Sequence, residues 1–257
     1  MNDTGILLAG GKGTRLYPIT KTINKHFLPV YNKPMVYYPL SLLIYMGIKK
    51  IFFICNKEDL SRFKKITSSF IKKYKIKIIF IIQKNPGGGI AESLILTKKY
   101  ILDQKKIVLI LGDNFFYGRQ FPLSLKKILR KKNSKSYIFL STVNNPKDYG
   151  IAYLNKKKQL LKIIEKPKNT KSRLAVTGLY IFDKKALKLV GKVKRSKRGE
   201  LEITSLNKLL IRIKNLQYFD IGRGTTWYDL GTYDNIYNCS SFIKTIESRQ
   251  NLKISDL

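Results

Sequence analysis

The 257 residues are enough for one large α/β domain or two small ones. Lys and Arg number 51 against 16 Asp and Glu, a net charge of +35, but 41 of the 51 are Lys spread from end to end beside abundant Ile, Asn and Tyr, all residues with A/T-rich codons; without clustering or a reading motif, specific nucleic-acid binding is not expected, only weak salt-sensitive sticking. The single His26 leaves no Ser-His-Asp triad and no multi-histidine zinc site, and the isolated Cys55 and Cys239 read as small buried hydrophobes.

Met1-Asn2-Asp3 carries no basic n-region and no apolar run approaches membrane-spanning length, so a cytoplasmic protein is expected, with no membrane partner. Thr4 to Ala9 is an apolar strand feeding Gly10-Gly11-Lys12-Gly13-Thr14-Arg15. A strand running into a Gly-rich, cationic loop suits a nucleotide's phosphates, held by backbone N–H groups and cations together. The spacing matches neither G-x-G-x-x-G nor G-x-x-x-x-G-K-[ST]. The glycines alone would also suit a structural turn.

Pro34 to Gly47 reads as a helix, Lys50 to Cys55 as a strand, Glu58 to Tyr74 as a helix and Ile76 to Ile82 as a strand covered on both faces. Ile90 to Leu102 is helical and Lys106 to Leu111 is another buried strand. The alternation implies an α/β fold, a doubly wound, mostly parallel sheet of Rossmann-like type. In such sheets ligands sit beyond the carboxyl ends of the strands, so the loops after Ala9, Ile82 and Leu111 should share one crevice. The second loop begins with Gln83, whose amide can pair a donor and an acceptor with a pyrimidine edge. The third carries Asp113, a strand-end carboxylate suited to Mg²⁺ beside phosphates or, alone, to a turn.

From Ser136 the pattern changes to strands over Tyr137–Val143, Gly150–Leu154, Leu160–Glu165 and Ala175–Phe182, an antiparallel extension. Glu165-Lys166-Pro167 ends a strand, where a Glu-Lys pair is otherwise a solvated ion pair. Arg198-Gly199-Glu200-Leu201-Glu202 opens a helix to about Ile211, Trp227-Tyr228-Asp229-Leu230-Gly231-Thr232 supplies a second Asp, and Tyr233 to Arg249 is a last amphipathic helix. The expected domain is single over 1–257, in two halves at 1–135 and 136–232 with a terminal helix and tail at 233–257.

G-G-x-G-T-R-L, then Lys25-His26-Phe27-Leu28-Pro29, resembles the signature of sugar-1-phosphate nucleotidylyltransferases. K-P-M-V-Y-Y-P-L, G-D-N-x-F-Y-G, E-K-P, V-T-G-L-Y, R-G-E-L-E-I-T and W-x-D-x-G-T follow in the order of the glucose-1-phosphate thymidylyltransferases, and the likeness covers residues 4 to 253. The resemblance implies transfer of a thymidylyl group from dTTP to glucose 1-phosphate with Mg²⁺, serving dTDP-sugar biosynthesis in a homo-oligomer, tetramer or dimer. It implies Leu8, Gly10, Gly11, Gly13, Thr14, Arg15, Lys25, Gln83 and Gly88 for the nucleotide. For the sugar phosphate it implies Tyr149, Gly150, Glu165, Lys166, Val176, Arg198 and Glu200. The metal falls to Asp113 and Asp229, and the catalytic set is Arg15, Asp113, Lys166 and Asp229. The family pattern has a shorter loop after Gln83 and often Gln at position 92, where this chain has Glu92. UTP, CTP or GTP in place of dTTP, or a non-catalytic nucleotide- or RNA-binding protein, are the alternatives. Members of the resembled family run further, with extra helices, so the resemblance implies a C-terminally shortened member that lacks them. It implies inhibition by dTDP-rhamnose at a second site facing Tyr117-Gly118-Arg119 and Gly222-Arg223-Gly224, with Arg119 where the pattern has His. Weak feedback is the expectation.

Overall fold

The structure, a computed structural model, describes residues 3–83 and 87–256. Lys84, Asn85 and Pro86 of the loop after Gln83 lie outside the described residues. The chain is mixed α/β, a mostly parallel sheet with added antiparallel strands, as the alternation predicts. First come β1 (Thr4–Ala9), β2 (Pro29–Val30), β3 (Lys33–Pro34), α1 (Tyr37–Tyr45), β4 (Lys50–Cys55), α2 (Leu60–Tyr74) and β5 (Lys77–Ile82). Next are α3 (Ile90–Ile101), β6 (Ile107–Leu111), β7 (Asn114–Tyr117), α4 (Phe121–Arg130) and β8 (Ser136–Thr142). β9 (Gly150–Leu154), β10 (Leu160–Glu165), β11 (Leu174–Phe182), α5 (Lys184–Leu189), α6 (Ile203–Arg212), β12 (Leu216–Asp220), β13 (Thr226–Asp229) and α7 (Tyr233–Gln250) complete the order.

Seven of these are absent from the sequence reading: β2, β3, β7, α4, α5, β12 and β13. α1 begins at Tyr37 rather than Pro34, because Pro34 is drawn into β3 opposite Pro29.

Two compact bodies are distinguished. A glycine-loop body comprises Gly5–Gly87, Ile110–Lys126 and Gly224–Leu257, and an antiparallel body comprises Met1–Thr4, Gly88–Leu109 and Lys127–Arg223.

In the glycine-loop body, β1, β4 and β5 are neighbours in hydrogen-bonded order, and β4 runs parallel to β5 from Lys50↔Lys77 to Cys55↔Ile82. β7 and β13 form a separate antiparallel pair that sets Asp229 opposite Asn114. Behind that pair lies a core of Val30, Met35, Tyr38, Phe115, Leu230, Cys239 and Ile243. Phe115 meets Tyr38 edge-on at 5.2 Å between centroids and Phe242 of α7 at 6.1 Å. Cys55 and Cys239 are both free and fully buried. Phe115→Ala is expected to cost about 3–5 kcal/mol by opening a cavity at this aromatic junction. A urea midpoint within error of the parent would show that the junction is not what fixes β7.

In the antiparallel body, β8 pairs antiparallel with β11 and parallel with β12, while β9 pairs antiparallel with both β10 and β11. β11 is buried at every position after its first, which fits its long apolar run. Its register with β8 shifts between Val176 and Tyr180, an irregularity that re-aims side chains at the V-T-G-L-Y segment. α6 buries Ile203, Leu206 and Leu210, an i, i+3, i+7 face, and packs against β10. Asp183 caps α5 by accepting from the Lys185 and Ala186 amides at 3.0 and 3.3 Å. Among the described residues no helix is long and apolar enough to cross a membrane.

Candidate active site

The glycine loop leaves β1 at Ala9. A side chain on Gly10 would meet the Gln83 Oε1 at 2.2 Å, so the backbone and the buried Gln83 side chain are in direct contact. Gly13 takes a left-handed φ of 66° and opens a 3-10 turn at Thr14-Arg15-Leu16. Its carbonyl accepts from the Thr20 hydroxyl at 2.7 Å. Asn24, which the sequence reading passed over, ties this region together. Its amide donates to the Ala9 carbonyl at 3.3 Å and to Asp59 at 2.6 Å, while its Oδ1 accepts from the His26 amide at 3.0 Å. Lys25 is thereby held beside Gly11.

Asp113 follows β6 and is 7 % exposed. Its Oδ2 is paired with the Lys25 ammonium, and its Oδ1 accepts from the Asn114 amide at 3.1 Å. Asn114 is fixed in turn by the indole N–H of Trp227 at 2.6 Å. The single Trp is thus hydrogen-bonded to the residue beside Asp113. Asp229 ends β13, and the next amide, Leu230 N–H, donates to the Asp113 carbonyl at 2.8 Å. Asp229 Oδ2 pairs with Arg15 Nη2 at 3.4 Å, and its Oδ1 accepts from the Gly231 amide at 3.2 Å. Strand pairing therefore brings both carboxylates and both cations of the loop region together.

The two carboxyls titrate in opposite directions. Burial favours the neutral form of Asp113, but the Lys25 charge and the hydrogen bonds from Lys25 and Asn114 outweigh it and hold the group well below the usual range. Burial, and then the charge of Asp113, push Asp229 up against the opposing pull of Arg15 and Lys25. His26, buried behind them, is pushed down to about 3 by burial and by Lys25, so it is neutral at physiological pH. Among the described residues no group of three or more His, Cys, Asp or Glu forms a metal cage. Two hard oxygen donors at adjoining strand ends do suit a cation that completes its shell with substrate phosphates and water.

In the antiparallel body, Gly150 of β9 stands opposite Glu165 of β10, and Lys166 N–H donates to the Tyr149 carbonyl at 3.0 Å. Lys166 adopts a left-handed φ of 44°, unusual for a side-chain-bearing residue. It is exposed, and among the described residues its ammonium pairs with no carboxylate. Glu165 accepts from the Thr204 hydroxyl at 2.5 Å and lies 3.6 Å from Arg198. Arg198 also reaches Glu200 at 3.7 Å, but its short contact is Glu202 at 2.7 Å. Glu202 and Thr204 are partners that the sequence reading did not single out, although the i, i+4 spacing from Arg198 to Glu202 offered a signal.

Glu92 turns back over Gly88, where a side chain would meet its Oε2 at 2.1 Å, and lies 3.6 Å from Arg195. Gly88 accepts from the Leu201 amide at 2.8 Å. Val176 sits at the irregular start of β11. The structure thus groups Gly10, Gly11, Gly13, Thr14, Arg15, Lys25, Gln83, Asp113 and Asp229 in one body. Gly88, Tyr149, Gly150, Glu165, Lys166, Val176, Arg198 and Glu200 fall in the other. Leu8 contributes its carbonyl, which accepts from the Gly112 amide at 2.8 Å.

The family model described as nucleotidyl transferase matches residues 4–246. A glucose-1-phosphate thymidylyltransferase of Neisseria meningitidis is 40% identical over 253 residues, covering 98% of this chain and 86% of the relative. One of Mycobacterium tuberculosis is 39% identical over 251 residues, covering 98% and 85%. Among solved structures, a Bacillus anthracis protein named as a glucose-1-phosphate thymidylyltransferase, in complex with sucrose, has a TM-score of 0.83 at 32% identity and covers 99% of this chain and 96% of its own. A UDP-glucose pyrophosphorylase complexed with UDP-glucose shares the fold, with a TM-score of 0.80 at 22% identity over 95% of this chain and 99% of its own.

Proposed function

The chain belongs to the glucose-1-phosphate thymidylyltransferase family of nucleotidyl transferases, and on that premise we propose that it transfers a thymidylyl group from dTTP to α-D-glucose 1-phosphate, giving dTDP-glucose and pyrophosphate. The observation that carries this reading is the four-membered charge cluster of Lys25, Asp113, Arg15 and Asp229 at the glycine loop.

Glucose 1-phosphate is already ionised near neutral pH, so its phosphate oxygen can attack the α-phosphorus directly and no general base is required. The new bond is O–P(α), and the bond that breaks leads to the departing pyrophosphate. Positioning and charge neutralisation then carry the rate. Lys166, exposed and with no carboxylate partner among the described residues, receives the attacking phosphate. Glu165, oriented by Thr204 and Arg198, accepts from sugar hydroxyls, with Tyr149, Gly150, Val176 and Glu200 completing the sugar contacts. Arg15, the Gly10–Gly13 amides, Thr14 and Lys25 hold the leaving phosphates, while Gln83 reads the base and Gly88 admits it. Asp113 and Asp229 would hold Mg²⁺, which when bound neutralises phosphate charge.

The span of the family model supports one nucleotidyl transferase domain. The two free thiols fit a reducing, cytoplasmic setting, and a homo-oligomer is part of the same proposal.

The test is pyrophosphate release from dTTP, UTP, CTP and GTP, each with glucose 1-phosphate and Mg²⁺. Release is expected with dTTP, at about tenfold or greater preference over UTP. Turnover with UTP alone would move the assignment to another nucleotide. No turnover with any nucleotide would point to a non-catalytic binding protein.

A further inference from the structure

The antiparallel body contains a hollow of ≈ 910 Å³ to which the proposed chemistry assigns no role. Lys105 and Lys106 reach it from the chain before β6. Arg130, Lys131 and Lys132 reach it from the end of α4. Lys184, Lys185 and Lys188 reach it from α5. Eight cations from three segments thus converge on one concavity, against the two carboxylates of Asp3 and Asp183.

Asp183 does not repel an anion freely. It is 3 % exposed and saturated by the Ser136 hydroxyl at 3.2 Å, the Asn215 amide at 3.1 Å and the α5 backbone. Among the described residues none of the eight cations pairs with a carboxylate within ion-pair distance. Lys106 is 4 % exposed, and its ammonium donates to the Lys135 carbonyl at 2.6 Å. Such a concentration of one sign in a concave wall focuses the field on a bound anion.

The lining also says what kind of anion fits. No aromatic side chain lines the hollow among the described residues. The nearby Tyr137 is 3 % exposed, with Lys106 and Lys131 both 5.5 Å from its ring centroid. No ring face is left for a base to stack on, as single-stranded nucleic-acid sites require. We propose that this hollow binds a compact oligophosphate anion, three or more linked phosphates without a base.

The probe is inorganic tripolyphosphate, titrated calorimetrically into the full chain, with orthophosphate and oligo(U) as comparisons. The triple variant Lys131→Glu, Lys132→Glu, Lys185→Glu is set against Lys64→Glu, Lys65→Glu, Lys72→Glu on exposed positions of α2, which changes net charge equally. Arg15→Ala identifies any tripolyphosphate bound at the glycine loop. In about 0.15 M salt the hollow variant should lose at least ~tenfold of the affinity that Arg15→Ala leaves intact, with pyrophosphate-release turnover within about twofold. The α2 variant should match the parent, and orthophosphate should bind more weakly than tripolyphosphate. A melting curve checks the fold, and Lys132→Gln with Lys185→Gln replaces the triple variant if charge reversal unfolds it. Equal loss in the α2 variant would show a diffuse field and overturn the site. So would unchanged binding in the hollow variant, or oligo(U) bound in preference to tripolyphosphate.

Discussion

Asp113→Asn and Asp229→Asn are each expected to abolish Mg²⁺-dependent pyrophosphate release, yet to move stability in opposite directions. Asn keeps the shape of the side chain and removes the charge that a hard cation needs. Asp113 is the carboxyl that the fold favours ionised, paired with Lys25, whose side chain is only 13% exposed. Neutralising it leaves a buried ammonium uncompensated, a loss of about 3–5 kcal/mol. Asp229 is the carboxyl that the fold disfavours ionised, through burial and the neighbouring Asp113. Asp229→Asn should therefore raise the melting temperature at pH 7 while eliminating turnover, a stability–function trade-off at one position.

The pH dependence follows by sign. Asp113 titrates lower in the folded chain, so its stabilisation is complete above the unfolded pKa of about 3.9 and fades as pH falls below it. Asp229 titrates higher in the folded chain, so its cost is present above that raised value and disappears on acidification. The melting advantage of Asp229→Asn should accordingly shrink as the pH is lowered. A variant that melts below the parent at pH 7 would mean that the Arg15 pairing outweighs burial. If both variants respond to Mg²⁺ like the parent, the metal is held elsewhere.

Arg15→Ala is the second large effect expected: a fall in turnover on the order of a hundredfold or more, with the fold intact. The Arg15 side chain is 53% exposed, so little packing is lost. Its guanidinium lies close enough to Gly231 that a side chain there would meet Nη2 at 2.2 Å, so it is held at the junction of the glycine loop and the strand carrying Asp229. Melting and pyrophosphate release, measured on the same preparation, separate the two properties. An Arg15→Ala enzyme of near-parent activity would remove the glycine loop from the reaction.

The parts of this arrangement legible in the sequence are those that one segment fixes alone. The apolar run of β1, the glycines after it and the strand-end Asp113 can each be read locally. So can the helical spacing of α6 and α7. The pairings that make a site are of another kind: Arg15 to Asp229 spans 214 residues and Lys25 to Asp113 spans 88. β7 and β13 are four residues each and, among the described strands, pair only with each other, so neither has a periodicity that declares it. α4 did carry a signal, Phe121, Leu125, Ile128 and Leu129 at helical spacing, partly masked by a Lys-rich flank. Glu202 was less conspicuous than Glu200 because spacing does not say which of two nearby carboxylates the Arg198 guanidinium will face.

The two buried thiols make this protein a reporter of its own opening. Burial pushes Cys55 up to about 12 and Cys239 higher than its ordinary value, so neither presents a thiolate to an alkylating reagent in the closed chain. Cys55 ends β4 and Cys239 lies in α7, both in the glycine-loop body. Each can be modified only when its own segment parts from the core, so the rate of alkylation at the two positions clocks the local unfolding of β4 and α7 separately. A phosphate ligand that closes down such fluctuations would be visible as slowed labelling, even with no turnover and no chromophore.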